Sequence, residues 1–395
     1  MTTERIVFAF SGDVAPGTAA AADVSAAIAW LQQTQRAEVV TVTVDLGDGR
    51  EVSDIRRCAL ASGAVRAHVV DAVEEFARDF VMPALQAGAM SDAALPAGRG
   101  LGPPLVAKHL VAIAHVEAAT AIACVGNDDD ALEQSIRAID PAIRVIVAVR
   151  EPGFRKLSPA SDEGNRSTPV RPAALLEVRA TLLGRSISGD ALDEAARQRP
   201  DDLYVLTKAP GRTPDAAARV DIEFEHGVPQ AINGVAMPLL ELITSLQTIA
   251  GAHGVGRVAS LDGAMARTVS EAPAAVVLHA AHDALQSLVT SVSRRPVALE
   301  MASRYAELVD AGLWHSPMRE AIDAVVARVQ DRVTGTVRLE LFKGQCRVIG
   351  RSSPYAVVAG ALGVGGGAPP PMPSPASASS TSPRRTADLS LLTES

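Results

Sequence analysis

The chain has 395 residues, a formal net charge of −8, and 48% hydrophobic against 21% charged residues, the balance of a soluble globular protein with a sizeable core. The acidic surplus excludes a general electrostatic attraction to nucleic acid or anionic lipid, and no uncharged apolar run reaches the length of a membrane span. The amino terminus lacks a signal peptide's basic start and apolar core. Three well-separated cysteines, Cys58, Cys124 and Cys346, fit a reducing compartment better than a disulfide framework, so the expected location is cytoplasmic.

From the amino terminus, β and α patterns alternate. "RIVFAF" and "AEVVTVTVDLG" are apolar, β-branched runs, as buried parallel strands look. "DVSAAIAWLQQ" and "VEEFARDFVMPALQAGAM" show the i, i+3, i+4 spacing of amphipathic helices. "AHVVDA", "AIACVG" and "RVIVAVRE" add short strands, separated by helical stretches such as "PLVAKHLVAIAHVE". The alternation predicts an α/β domain with a doubly wound parallel sheet over residues 1–160, ended by the polar "KLSPASDEGNRSTPVRP". Residues 161–360 read as a second, α+β domain. "RVDIEFEHGVPQAING" is a hairpin, "PLLELITSLQTIAGAHG", "APAAVVLHAAHDALQSLVTSV" and "EMASRYAELVDAGLWHSPMREAIDAVVARVQDRV" are helical, and "GTVRLELFKGQCRVIGRSS" holds two closing strands. Residues 361–395 are rich in Gly, Pro, Ser and Ala; such a composition cannot bury a core and is expected to be disordered.

The chemistry-bearing stretch is "VFAFSGDVAPGTAAAADVSAAIAWLQQ", residues 7–33. A strand, a Gly-containing turn and a helix start offer backbone N–H groups and a positive dipole end to a phosphate. Ser11 and Gly12 follow the strand, and Asp23 and Ser25 stand where the helix is expected to begin. Asp23 suits either Mg²⁺ or a helix cap. An ordinary capped turn has the same pattern.

Five further segments resemble the argininosuccinate synthase family in order and spacing: "VVTVTVDLGDGREVSDIRRCALASGAV", "HVVDAVEEFARDFVMPALQAGAM", "LYVLTKAP", "IEFEHGVPQAINGVAMPLLELITSLQTIAGAHGVGRV" and "RVTGTVRLELFKGQCRVIGRSSPYA". The resemblance spans most of residues 5–360. It implies a nucleotide domain of the ATP-pyrophosphatase type, a synthetase domain, and C-terminal helices used in tetramer assembly. It also implies a reaction: ATP adenylates the ureido oxygen of citrulline, and aspartate displaces AMP, leaving argininosuccinate and pyrophosphate. ATP and Mg²⁺ are the cofactors so implied, with nucleotide contacts at Ala9, Ser11, Gly12, Asp23, Ser25 and Val44. Substrate contacts are implied at Asn127, Asp128 and Ser186. Citrulline and aspartate are the implied substrates and a homotetramer the implied assembly. No catalytic residue and no protein metal ligand is assigned.

The departures from the family pattern cluster in the loops. The family's "SGGLDTS" is matched at its ends by Ser11-Gly12 and Asp23-Val24-Ser25, with an insertion from Asp13 to about Ala21 between them. Asp13 adds repulsion toward a triphosphate and Pro16 removes an N–H donor. In "LPAGRGLGPPLVAK" the family's substrate-holding Tyr and Thr fall at Leu95 and Arg99, and its Arg at Pro103. In "CVGNDDDALE" an Arg falls at Ala131. In "LEVRATLLGRSIS" Ser186 persists, Glu177 replaces a Ser and Ser188 replaces a Glu; Ser270 stands where a Tyr belongs. Amino-acid carboxylates are held by Arg forks or hydroxyl and N–H donors, so these changes predict a ligase retuned or impaired. The alternative is a non-catalytic oligomeric paralog that assembles with or regulates a competent synthase.

Elsewhere, His279 and His282 are spaced i, i+3 without a Cys or carboxylate beside them in metal-ligand spacing, and read as packed or surface histidines. Trp30 reads as core. In the C-terminal segment, Leu308, Leu313, Ile322, Val325 and Val329 form an apolar pattern that is expected to be buried within the chain or against a partner subunit.

Overall fold

The structure, a computed structural model, describes residues 4–10, 19–91, 100–125, 130–151, 154, 177–188, 204–262, 265–291 and 295–357. The sequence-expected disordered tail lies outside them. Strand β1 (Glu4–Ala9) is followed by α1 (Ala19–Thr34), β2 (Ala37–Asp45), α2 (Val52–Ala61) and β3 (Arg66–Asp71). Then come α3 (Val73–Phe76), α4 (Met82–Gln86), α5 (Gly102–Val116), β4 (Ala121–Cys124), α6 (Asp130–Ile139) and β5 (Arg144–Val147). The five strands pair in parallel in the order β3-β2-β1-β4-β5, the doubly wound sheet that the alternation predicts.

Successive side chains of a strand point to opposite faces, and β1 shows both. Ile6 and Phe8 pack with Ile28 and Leu31 of α1 and Ile55 of α2. Val7 packs with Leu110 of α5 and Ile136 of α6 on the other side. Trp30 is buried in the first layer, edge-on to Phe154 at 6.0 Å. The amino ends of the strands are closed by Glu117, whose buried carboxylate accepts from Arg5 at 3.2 Å, Arg66 at 2.6 Å and His68 at 2.8 Å. Burial acts to raise this carboxyl, but the hydrogen bonds from His68 and Arg66 outweigh it and leave it below the usual carboxylate range.

Two details differ from the sequence reading. Helix α1 begins at Ala19 rather than at Asp23, because "AAAA" (19–22) is the best helix-forming run available and adds a turn. The expected helix over "VEEFARDFVMPALQAGAM" is interrupted by a π turn at Ala77–Val81. Pro83, in the first turn of α4, has no N–H to donate and crowds the preceding turn, and the wider winding accommodates it.

The second half holds two antiparallel sheets. One is built from β6 (Glu177–Thr181), β7 (Gly184–Ser188), β11 (Arg257–Asp262) and β12 (Met265–Glu271) in the order β11-β12-β7-β6. The other contains β8 (Ala218–Glu225), β9 (Val228–Ile232), β10 (Val235–Ala236), β13 (Gly335–Phe342) and β14 (Gln345–Ser352), ordered β10-β9-β8-β13-β14. Three of its connections are two-residue turns with both residues at positive φ: His226-Gly227, Asn233-Gly234 and Lys343-Gly344. That is the hairpin turn whose twist matches the strands.

Helices α7 (Leu239–Ala252) and α8 (Pro273–Val289) pack on these sheets, α7 against β9 and α8 against β13, β14 and β7. Helices α9 (Arg295–Asp310) and α10 (Pro317–Gln330) pack on each other, α9 also against residues 89–91 and α10 against α4. The C-terminal helical pattern breaks at Gly312, at φ +71, and at Pro317. Trp314 locks the break: it stacks on Phe80 at 4.7 Å, meets Tyr305 edge-on at 6.0 Å and lies under the Arg319 guanidinium at 4.3 Å. None of the three cysteines is in a disulfide. Among the described residues no helix is long and apolar enough to cross a membrane.

His282 is a core residue, as the sequence reading allows. Its ring is 1% exposed and its Nε2 donates to Gln330 Oε1 at 2.9 Å, while Gln330 Nε2 donates to Gln86 O and Gln286 Oε1. Burial depresses its pKa to about 4, far below the ordinary 6.5. The unfolded chain therefore takes up the proton first, so stability is intact above pH 6.5 and is lost as pH falls toward 4. Urea unfolding across that interval is expected to lose about 3 kcal/mol more in the wild type than in His282→Gln; equal slopes would show that His282 is not buried neutral.

Candidate active site

In an open parallel sheet, ligands bind beyond the carboxyl ends of the strands where the winding direction reverses. Here the reversal falls between β1 and β4, which pair directly with Phe8 opposite Ala123. The chain continues from β1 through buried Phe10, whose N–H donates to Val42 O and whose C=O accepts from Thr43 Oγ1 at 2.8 Å. Ala9 and Val44 therefore lie at the carboxyl ends of neighbouring strands, both half-buried. Ser11 and Gly12 come next in the chain and lie outside the described residues, as do Asn127 and Asp128 after β4.

Asp23 and Ser25 are placed by α1. Because the helix starts at Ala19, both residues sit beyond its first four positions. Their N–H groups belong to the helix ladder, and the unpaired donors are those of the four alanines before them. Ser25 is half-buried on α1, and the side chain of Asp23 is not described.

A second wall reaches the same edge of the sheet. At the tip of the β6–β7 hairpin, Leu182 N–H donates to Leu46 O at 2.7 Å, just past the end of β2. Gly47 makes the approach possible: it has φ +89, and a Cβ there would stand 3.1 Å from Leu182 Cβ. On the adjoining strands, Ser186 of β7 is in register with Ser270 of β12, and both are buried. Directly paired residues of an antiparallel sheet share a face, so Ser186 and Ser270 stand side by side. Ser188 is in register with Thr268.

Behind this face lies a network that the sequence reading missed. The Glu271 side chain is fully buried. It accepts from the N–H groups of Val205, Leu206 and Thr207, each at 2.9 Å, from Thr207 Oγ1 at 2.8 Å and from Arg185 at 3.2 Å. Thr207 in turn accepts from Arg257 at both its hydroxyl and its C=O, at 2.9 Å, and that guanidinium lies 3.9 Å from the centre of the Tyr204 ring. The signal was present as a lone Glu ending "ARTVSE" before a helix-opening Pro, which reads equally as a helix-start acid.

The other sequence-singled positions flank the crevice. Pro103 is in the first turn of α5, whose Gly102 abuts Leu46: a Cβ there would stand 3.0 Å from Leu46 Cδ1. Ala131 lies in the first turn of α6, where Gly312 packs on it so closely that a Cβ on Gly312 would fall 2.6 Å from Ala131 Cα. Arg150, just past β5, bridges Asp130 and Glu133 of α6. Leu95 and Arg99 lie outside the described residues. Among the described residues, no three His, Cys, Asp or Glu side chains converge in a metal-holding group.

Comparison with known proteins agrees with this arrangement. Residues 5–158 match the family described as "Arginosuccinate synthase N-terminal HUP domain", and residues 177–363 match "Arginosuccinate synthase C-terminal domain". The chain belongs to the argininosuccinate synthase family. It is 36% identical over 367 residues to the argininosuccinate synthase of Dictyoglomus thermophilum, covering 90% of each chain. It is 38% identical over 362 residues to that of Synechococcus elongatus, covering 89% of this chain and 88% of the relative. Among solved structures, the NAD+ synthetase of Burkholderia pseudomallei is similar at 15% identity and a TM-score of 0.22, over 40% of this chain and 66% of that one.

Removing the Glu271 carboxylate leaves three N–H groups, a hydroxyl and a guanidinium without their acceptor. Breaking a buried charge pair from one side costs about 3–5 kcal/mol. Glu271→Ala is expected to lose that much stability in urea unfolding, and a loss near zero would show the network to be dispensable.

Proposed function

We propose that the chain is an ATP-dependent C–N ligase of the argininosuccinate synthase type, retuned or impaired for the family reaction. In that reaction citrulline, aspartate and ATP give argininosuccinate, AMP and pyrophosphate. What carries the reading is the start of α1 at Ala19, four residues ahead of the retained Asp23-Val24-Ser25 of the family motif. ATP fits the crevice at its base end, where Ala9 and Val44 present small apolar side chains at adjacent strand ends. At the phosphate end, the unpaired backbone donors on the α1 side are the N–H groups of the alanines, and Asp23 and Ser25 lie beyond the first four helix positions. When bound, ATP would supply the adenylyl group that makes the ureido oxygen a leaving group. Mg²⁺ is held in nucleotide sites by one or two carboxylates together with phosphate oxygens and water; Asp23 is the carboxylate the family pattern offers.

At the substrate end, Ser186 and Ser270 leave two hydroxyls on a shared face of the sheet. Ser270 replaces an aromatic hydroxyl, Pro103 removes a guanidinium, and Ala131, packed under Gly312, removes another. Each lost charge-assisted contact costs about 1.5–3 kcal/mol of binding, and a Ser pair offers no cation to replace an Arg fork. Citrulline and aspartate are therefore expected to condense too slowly to support an arginine auxotroph carrying this gene alone, with growth of that strain refuting the reading. For the nucleotide, calorimetric titration with MgATP is expected to give a Kd weaker than low micromolar, and replacing residues 13–21 with Gly-Leu to tighten it. Low-micromolar binding by the unaltered chain would count against the proposal.

The second reading, an oligomeric paralog without catalysis, rests on the C-terminal helices. The apolar pattern there splits: Leu308 and Ile322 are buried within the chain, whereas Leu313 and Val325 are 39% and 43% exposed. Met318 on α10 and Val297 and Leu299 on α9 are also exposed, and apolar surface of this kind supports burial against another subunit, with a homotetramer as the family arrangement. Light scattering on a chain ending near residue 360 is expected to give a tetramer mass; a monomer at micromolar concentration would sink the assembly.

A further inference from the structure

Away from the crevice, helices α8 and α9 flank a half-open cavity of about 580 Å³, within the range of about 300–1,000 Å³ typical of small-molecule sites. Two helix stripes line it. His279 and Asp283 are one turn apart on α8, and Arg295 and Ser303 stand two turns apart on α9. Gly88, at φ +73, lies at its wall, where a Cβ would come within 3.5 Å of Ala302.

Among the described residues, the two charged side chains of this cavity have no ion-pair partner. By contrast, Arg304 pairs with Glu307 further along α9, and Arg319 with Asp323 on α10. Asp283 and Arg295 are exposed and make no hydrogen bond or ion pair with a described residue. His279 is half-buried, and its Nδ1 is buried without a hydrogen-bond partner among the described residues. Burial holds that imidazole below its ordinary pKa, so the ring is neutral near pH 7 and the cavity presents one anion and one cation. The rest of the wall mixes apolar residues, chiefly Ala298, Leu299, Ala302 and Ala306, with the uncharged polar side chains of Gln286, Ser287 and Thr290.

A ligand complementary to such a wall carries an ammonium and a carboxylate a few bonds apart and a side chain of modest size. We propose that the cavity between α8 and α9 binds a free α-amino acid, its ammonium on Asp283 and its carboxylate on Arg295. An Arg fork suits a carboxylate because two parallel N–H groups match its two oxygens. The site is separate from the crevice at the β1 and β4 carboxyl ends, and its occupancy does not depend on the chain's catalytic competence.

The test uses the full chain. Each proteinogenic L-amino acid at millimolar concentration is screened by thermal shift, and the one that raises Tm most is titrated calorimetrically. The expected result is a Kd weakened about tenfold or more, equivalent to 1.4 kcal/mol, by Asp283→Asn and by Arg295→Gln. The methyl ester and the N-acetyl form of the same amino acid should bind as poorly, and Ser186→Ala should leave the Kd unchanged. The proposal is overturned if no amino acid shifts Tm, if both charge variants keep the wild-type Kd, or if the Kd follows Ser186→Ala instead. It is equally overturned if Asp283→Asn or Arg295→Gln changes the mass in light scattering, because the cavity is then a contact between copies of the chain.

Discussion

Glu271 carries its carboxylate where no water reaches it, and the second half of the molecule is arranged to make that tolerable. Five donors converge on the two oxygens, three of them consecutive backbone N–H groups from residues 205–207. An isolated buried carboxylate would cost several kcal/mol, so loop 204–208, β7 and β12 have to arrive together. Arg185 comes from β7 and Glu271 from β12, and they are themselves a register pair. Gly184, one residue earlier, has φ +146, and a Cβ there would lie 1.9 Å from Glu271 O. That contact leaves room only for glycine and fixes the hairpin at one height against β12. Ser186 opposite Ser270 is the next rung of the same ladder, and the hairpin tip on Leu46 is its other end. The face that carries Ser186 and Ser270 is thus set by a charge on the opposite side of the sheet.

The parallel sheet and the hairpins were legible because their signals are local. The strands of the first sheet are compact apolar runs, from "AEVVTVTVD" to "AIAC", and the turns His-Gly, Asn-Gly and Lys-Gly announce the positive-φ pair that a two-residue connection needs. The sheet that carries Ser186 was not assigned from its sequence. "RVASLD" and "MARTVSE" mix Ser, Thr and charge among few apolar residues, and their strand character comes from pairing with β7 rather than from their own pattern. The start of α1 was misplaced for a different reason. A run of four alanines after Gly and Pro looks like loop when a motif is being matched, yet its intrinsic preference is helical.

The candidate site residues were named only through resemblance, and their placement relative to one another was not legible. No spacing rule links Ser186 to Ser270, which are 84 positions apart and meet through register alone. Glu271 was hidden by its neighbours, since an acid before Ala-Pro at the mouth of a helix is the ordinary grammar of a helix start. The C-terminal helices show a similar limit: one amphipathic pattern supplied both interior residues, such as Leu308 and Ile322, and exposed ones, such as Leu313 and Val325. Periodicity identifies an apolar stripe, but the packing partners divide it.

The pairing of β8 with β13 sets the order in which the molecule can be completed. β8 meets β9 across a two-residue turn and can form that ladder as soon as both have been synthesised. Its other edge waits for β13, with Phe224 opposite Gly335 and Ala218 opposite Leu341, more than a hundred residues later in the chain. While the ribosome is still making α7 through α10, the β8 edge is an open row of backbone donors and acceptors, the kind of template on which chains misassociate. A hairpin that waits so long for its partner depends on something to shield it during translation, and α7 and α8, which emerge in that interval and later pack on the same sheet, are the first of the chain's own segments able to do so.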